Sequence, residues 1–151
     1  MDRLSKNLTL KEFTRSKTAS KKGIDNSPTP EHLENARAIA KHIFQPLRDF
    51  YGKPIMITSG YRSAELNKVI GGSTRSQHSK GEALDLDTSS DNKLLFEYIK
   101  NHLPFDQLIW EFGNSDNPDW VRVSYKRNAK NRGEVLQAYR ENGKVLYRRI
   151  S

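Results

Sequence analysis

The sequence predicts a single α+β domain, with helices packed against a mainly antiparallel central sheet. Three observations lead there. One long segment carries apolar residues at helical spacing, several short segments alternate as half-buried strands do, and the chain ends in a hairpin signature. At 151 residues the chain is long enough to bury a real core in one domain. Its divisions are a lead-in over 1–28, a core over 29–125 that holds the motif segments, and a C-terminal hairpin over 131–150.

Residues 1–28 read as extended or loop-rich, with a short turn of helix near Leu10 to Phe13. Thr29 suits an N-cap because its hydroxyl can accept from an early helical N–H, and Pro30 at the first helical position lacks only a donor that would go unused. Leu33, Ala36, Ala40, Ile43, Phe44, Leu47 and Tyr51 then fall on one face, and Gly52 stops the helix. Pro46 removes a backbone donor inside this pattern and predicts a kink near its end. PIMIT at 54–58 reads as a buried strand, and SGYRS at 59–63 as a loop leading into a short helix through Val69. EALDLD at 82–87 alternates as a strand does. Asp91 can cap a helix that turns Leu94, Leu95, Tyr98 and Ile99 inward and ends by Pro104. DQLIWEF at 106–112 and WVRVSY at 120–125 read as strands, and Asn142-Gly143 as the two-residue turn of the final hairpin.

Composition narrows the chemistry. The absence of cysteine excludes disulfides and thiolate ligands, so a metal site must use His, Asp and Glu. No apolar run approaches the roughly 20 residues that span a bilayer. The start, MDRLSKNLTLKEF, lacks the apolar stretch of a signal peptide. The expectation is cytoplasmic synthesis, with action on a cell wall after lysis or from a virion. A net charge of +8 draws the chain to polyanions, including anionic cell-wall polymers. The basic groups at Lys17 to Lys22, Lys126 to Arg132 and Arg148 with Arg149 stand apart from one another. Tyr125 and Tyr139 lie near basic residues, as stacking platforms would, but no DNA-binding motif accompanies them, so nucleic acid is not the expected partner.

His78 and Asp85 are seven residues apart with Gly81 between them. A turn there can bring imidazole and carboxylate to one point, either as two zinc ligands or as a plain hydrogen-bonded pair. The whole segment from Ser76 to Asp85, SQHSKGEALD, has the pattern S-x-H-x-x-G-x-A-x-D. It resembles the zinc D-alanyl-D-alanine carboxypeptidase and L-alanyl-D-glutamate endopeptidase family, which includes phage endolysins and bacterial dipeptidases. SGYRS, LPFDQLIWEF at 103–112 and WVRVSY extend the resemblance over about residues 8 to 137.

The resemblance implies a zinc-dependent peptidase that hydrolyses amide bonds in peptidoglycan stem peptides containing D-amino acids, in the manner of an endolysin. His78 and Asp85 match metal ligands. Arg62 and Ser76 match residues that hold a carboxylate or carbonyl of the substrate, a task suited to the planar fork of arginine. Asp119 matches the catalytic residue that takes a proton from zinc-bound water and passes it to the leaving amine. Read without the resemblance, Arg62 is a loop-stabilising arginine and Asp119 a turn aspartate.

One position departs from the pattern. The family carries D-x-x-H, whose His is the third zinc ligand, and this chain carries Asp119-Trp120-Val121-Arg122. Arginine offers no lone pair and stays charged. Three readings follow. Arg122 can fill the metal position and pair with Asp85, leaving a metal-free, inactive relative that serves as a cell-wall-binding or virion structural module. Glu111, Asp116 or Asp119 can supply the missing ligand, with His102, outside the motif segments, the weaker candidate. Arg122 can also be a change in an otherwise active protein.

Overall fold

The computed structural model describes residues 2–150. The chain opens on a small hairpin, β1 (Arg3–Ser5) and β2 (Leu8–Thr9), followed by α1 (Leu10–Thr14) and α2 (Lys17–Lys22). The turn of helix expected near Leu10 to Phe13 is α1, and the rest of the lead-in is more structured than its sequence suggested. The reason is local capping. Thr9 and Glu12 form a reciprocal capping box on α1, and the Ser16 hydroxyl accepts from Ala19 N–H at the start of α2.

The long helix divides into α3 (Pro30–Ile39), a π-helical turn (Ala40–Phe44) and α4 (Gln45–Tyr51). Thr29 caps it as expected, accepting from His32 N–H. Pro46 cannot donate, and the wider turn just before it absorbs the missing bond. There follow β3 (Met56–Ser59), α5 (Ala64–Ile70), a 3₁₀ turn (Gln77–Lys80), β4 (Ala83–Asp87), α6 (Asn92–His102), β5 (Gln107–Glu111), β6 (Trp120–Ser124), β7 (Glu134–Glu141) and β8 (Lys144–Arg149).

The six longer strands form one mixed, mostly antiparallel sheet in the order β3-β4-β6-β5-β7-β8. The only parallel pair in it joins β5 to β7. The final hairpin is thus part of the central sheet. One sheet face, bearing Leu84, Leu86, Leu108, Trp110, Val121, Val123 and Val135, packs on Ile39, Ile43, Phe44, Leu95, Phe96 and Ile99 from the helices. Each such side chain contributes about 1.5–3 kcal/mol when fully buried. The other face carries the site.

Two expectations about burial fail. The 54–58 strand is not buried: β3 is an edge strand, and Met56 is 63% exposed. Leu94 points outward from α6 at 46% exposed, and Phe96 takes the inward position in its place. Asp91 does precede α6, but its carboxylate accepts from Tyr51 Oη at 2.6 Å instead of from the helix. Asn92 does the local bonding. It is fully buried, accepts from Thr88 N–H, and donates to Asp87 and to the carbonyls of Pro118 and Asp119. One amide so ties α6, β4 and the approach to β6.

Asp106 is a second buried hub. It has no exposed surface and accepts from the backbone N–H, Nε and Nη2 of Arg132 at 2.9, 3.0 and 2.7 Å, and from Gln77 Nε2 at 3.2 Å. Burial alone would raise its carboxyl; the bonds from Arg132, with the charges of Arg132 and Lys126, win and hold it below the usual range. Asp106→Ala should cost about 2–4 kcal/mol in urea unfolding at neutral pH, because Gln77 and Arg132 lose their shared acceptor. A loss below about 0.5 kcal/mol would show that the hub is replaced by water.

Candidate functional site

The open sheet face assembles the site by register. Ser59 pairs with Asp85, Asp85 with Arg122, and Arg122 with Ile109, so these side chains stand in one row on one face. Glu111, two residues beyond Ile109 on β5, shares that face. Alternation in β4 sends Leu84 and Leu86 to the core and Asp85 to the site.

His78 reaches the row from the 3₁₀ turn over β4. Ser76 caps that turn, its hydroxyl accepting from His78 N–H at 3.2 Å. Gly81 ends it with φ of 74°, and a β-carbon there would collide with the carbonyl of His32 on α3. The glycine of the motif is therefore a packing requirement. Gly60 is equally constrained, since a β-carbon on it would meet the Phe13 carbonyl. Its own carbonyl accepts from His78 Nδ1 at 2.6 Å. A carbonyl can only accept, so Nδ1 carries a proton, and Nε2 faces Asp85 Oδ1 at 3.4 Å. His78 is 1% exposed.

Arg122 lies across the same carboxylate. Its Nε donates to Asp85 Oδ1 at 3.1 Å and stands 3.3 Å from Glu111 Oε2. Burial alone would raise the Asp85 carboxyl; the charges and hydrogen bonds of His78 and Arg122 outweigh it and hold Asp85 below the usual range. Glu111 is pushed the other way, up to about 7, by burial, with the Arg122 charge offsetting part of this and Asp85 adding to it. Its Oε2 is buried without a hydrogen-bond partner.

Arg62 follows the β3 end, and its backbone N–H donates to the His78 carbonyl at 3.1 Å. Its half-buried guanidinium has no carboxylate within 4.0 Å among the described residues, and Nε is buried without a partner. Burial, aided by the Arg122 charge, lowers its pKa from the ordinary value, while Asp85 opposes this. Arg62, Arg75, Ser76, His78, Arg122 and Lys126 line one groove of about 540 Å³.

The structure thus gathers Arg62, Ser76, His78, Asp85 and Arg122. It does not bring Asp119 to them. Asp119 is exposed at the approach to β6 and lines a separate depression with Phe112, Gly113 and Asn114. Asp116 is exposed in the preceding loop, and His102 lies at the far end of α6 against Tyr98. Of the substitute ligands considered from sequence, Glu111 alone enters the cluster. Alternation along IWEF, counted from Ile109, carries that signal.

A zinc ion fits two of these positions and not the third. Two atoms bound to one tetrahedral zinc at about 2.0–2.2 Å lie about 3.4 Å apart, which is the His78–Asp85 separation. The next position in the row holds a cation that occupies the Asp85 lone pairs. Among the described residues, no three His, Asp or Glu side chains are placed to hold a metal. The residues present do not make a zinc site.

The Glu111 carboxyl is raised from 4.5 to about 7 on folding. The stability it gives is complete below about pH 4.5 and is lost as pH rises through about 7. Glu111→Gln cannot titrate. The stability difference, parent minus variant, should therefore fall by about 2–3 kcal/mol across that window in urea unfolding. A flat difference would show Glu111 ionised throughout.

Comparison with known proteins agrees with this architecture. The family model described as Peptidase M15 matches residues 6–123, which takes in β2 through β5, β6 up to Val123, and every residue of the row. No curated protein matches the chain significantly. With most of its length matched, the chain belongs to the peptidase M15 family, that of the zinc D-Ala-D-Ala carboxypeptidases.

Proposed function

We propose that this chain is a metal-free member of its family that binds cell-wall stem peptides in the groove without cleaving them. The observation that carries the reading is Arg122, whose guanidinium bridges Asp85 and Glu111 where a third zinc ligand would stand. A fixed cation there supplies positive charge but no open coordination position and no activated water. Arg62 and Ser76 remain in the groove, where a fork and a hydroxyl can hold a peptide carboxylate or carbonyl. Asp119, the residue that would manage protons, lies outside it. The net charge of +8 favours approach to a wall rich in anionic polymer, whether the protein is freed by lysis or carried in a virion.

A second reading is an active zinc peptidase. The Gly60 carbonyl fixes the His78 tautomer that presents Nε2, as metal-binding histidines require. In that case Arg122, whose side chain is 28% exposed, swings outward and Glu111 becomes the third donor.

Calorimetric titration of the metal-stripped protein separates the two. The parent should show no stoichiometric zinc site at micromolar concentration. Arg122→His should bind zinc at least about 100-fold more tightly, because it completes a His-Asp-His set. It alone should then release products from D-amino-acid stem peptides. One tight zinc per parent chain, with hydrolysis, would overturn the metal-free reading and leave the second.

A further inference from the structure

Arg122 uses only Nε on Asp85 and Glu111, and its two terminal nitrogens make no hydrogen bond among the described residues. Arg62 has a buried Nε without a partner and no carboxylate within reach. Both line the same groove. Two guanidiniums facing one space with unused donors repel each other and carry unrelieved desolvation, and an anion between them removes both costs.

The surroundings say which anion. Arg75, Lys80, Lys126 and Arg132 add to the lining. Five carboxylates oppose these six cations, Glu134 beside Arg132 among them. Glu82 accepts from Gln77, Asp85 and Glu111 lie beneath Arg122, and Asp106 lies beneath Lys126 and Arg132. The balance stays positive. A carboxylate brings one charge and two oxygens, enough for one fork. A phosphate brings up to two charges and three acceptor oxygens, enough for two forks and a hydroxyl. The Ser76 hydroxyl accepts from His78 N–H and keeps its own hydrogen for such a contact.

We propose that the groove takes a phosphate group, clasped between Arg62 and the terminal nitrogens of Arg122. This goes beyond peptide recognition and rests on the reading above in one respect: Arg122 stays in the site. A free or terminal phosphate group fits this count; a link in a phosphodiester polymer brings one charge and two unesterified oxygens, and is the other source the test separates.

The test uses the full chain dialysed against chelator, titrated with sodium phosphate at constant ionic strength and followed by amide NMR shifts. Saturable binding is expected, with shifts centred on residues 62 and 75–78. Sodium acetate should bind at least about tenfold more weakly, and Arg62→Gln should weaken phosphate by about tenfold or more. Arg75→Gln, on the exposed rim, should weaken it by about threefold without risk to the fold. Lys22→Gln, which removes the same charge from a residue that does not line the groove, should leave it unchanged. A glycerophosphodiester probe that also binds assigns the site to a polymer link, and one that fails assigns it to a free or terminal phosphate. No saturation, acetate binding as tight as phosphate, or an equal loss in Lys22→Gln would overturn the proposal. Stoichiometric zinc surviving dialysis would overturn the reading of Arg122 and this inference with it.

Discussion

The site is organised by one guanidinium between two buried carboxylates. Asp85 and Glu111 are 7% and 2% exposed on neighbouring stretches of a sheet face that water scarcely reaches. Two such carboxylates cannot both stay ionised without a cation close by. Arg122, in register between their strands, is that cation. Its charge divides unequally. Asp85 also faces His78 and is held in its charged form, whereas Glu111 Oε2 is buried without a hydrogen-bond partner among the described residues and its carboxyl is pushed toward neutrality. A buried pair of this kind is weak evidence for stability, since desolvation offsets most of the attraction. Its consequence is specificity: it fixes which face of β6 looks at the groove and closes the position beside Asp85 to a metal ion.

Around that row the backbone provides the precision. The His78 ring is aimed by the Gly60 carbonyl, and the Phe13 carbonyl of α1 packs against Gly60 and accepts from Tyr61 N–H. The turn that carries His78 is pressed on α3 at Gly81 and tied to Asp106 through Gln77. The N-terminal segment and the C-terminal hairpin, which look peripheral in sequence, therefore both touch the site. Tyr147 of β8 lines the groove, and Arg132, just before β7, closes its rim. Motif positions that would serve a zinc enzyme here serve a groove that is basic at its surface and acidic beneath.

How much of this is legible in the sequence depends on the range of each interaction. The His78–Asp85 pair spans seven residues through one turn, so spacing alone brings the two together. The caps at Thr29 and the hairpin at Asn142-Gly143 are local and appear where their chemistry places them. The capping box at Thr9 and Glu12 is equally local and starts α1 where a turn of helix is expected near Leu10 to Phe13. Glu111 and Asp106 act through contacts with residues 11 and 26 positions away, on other elements. A strand register decides those contacts, and a single sequence does not state it. Asp119 shows the converse: a motif match gives it a catalytic position, but the loop held by Asn92 turns it to solvent on a different depression.

The sequence by itself determined the α+β class, the alternating strands, the absence of thiolate chemistry and the replacement of a histidine by Arg122. The first three follow from periodicity, composition and side-chain chemistry, all local properties; the fourth is what the resemblance of the motif to its family implies. Only the tertiary structure decided that Arg122 points at Asp85 and Glu111, that β3 is an exposed edge, and that Arg62 lines the groove with its Nε unpartnered among the described residues. Each of these depends on which strands neighbour one another and in what register. That is fixed by burying one whole face of the sheet against the helices, a condition no single segment can express.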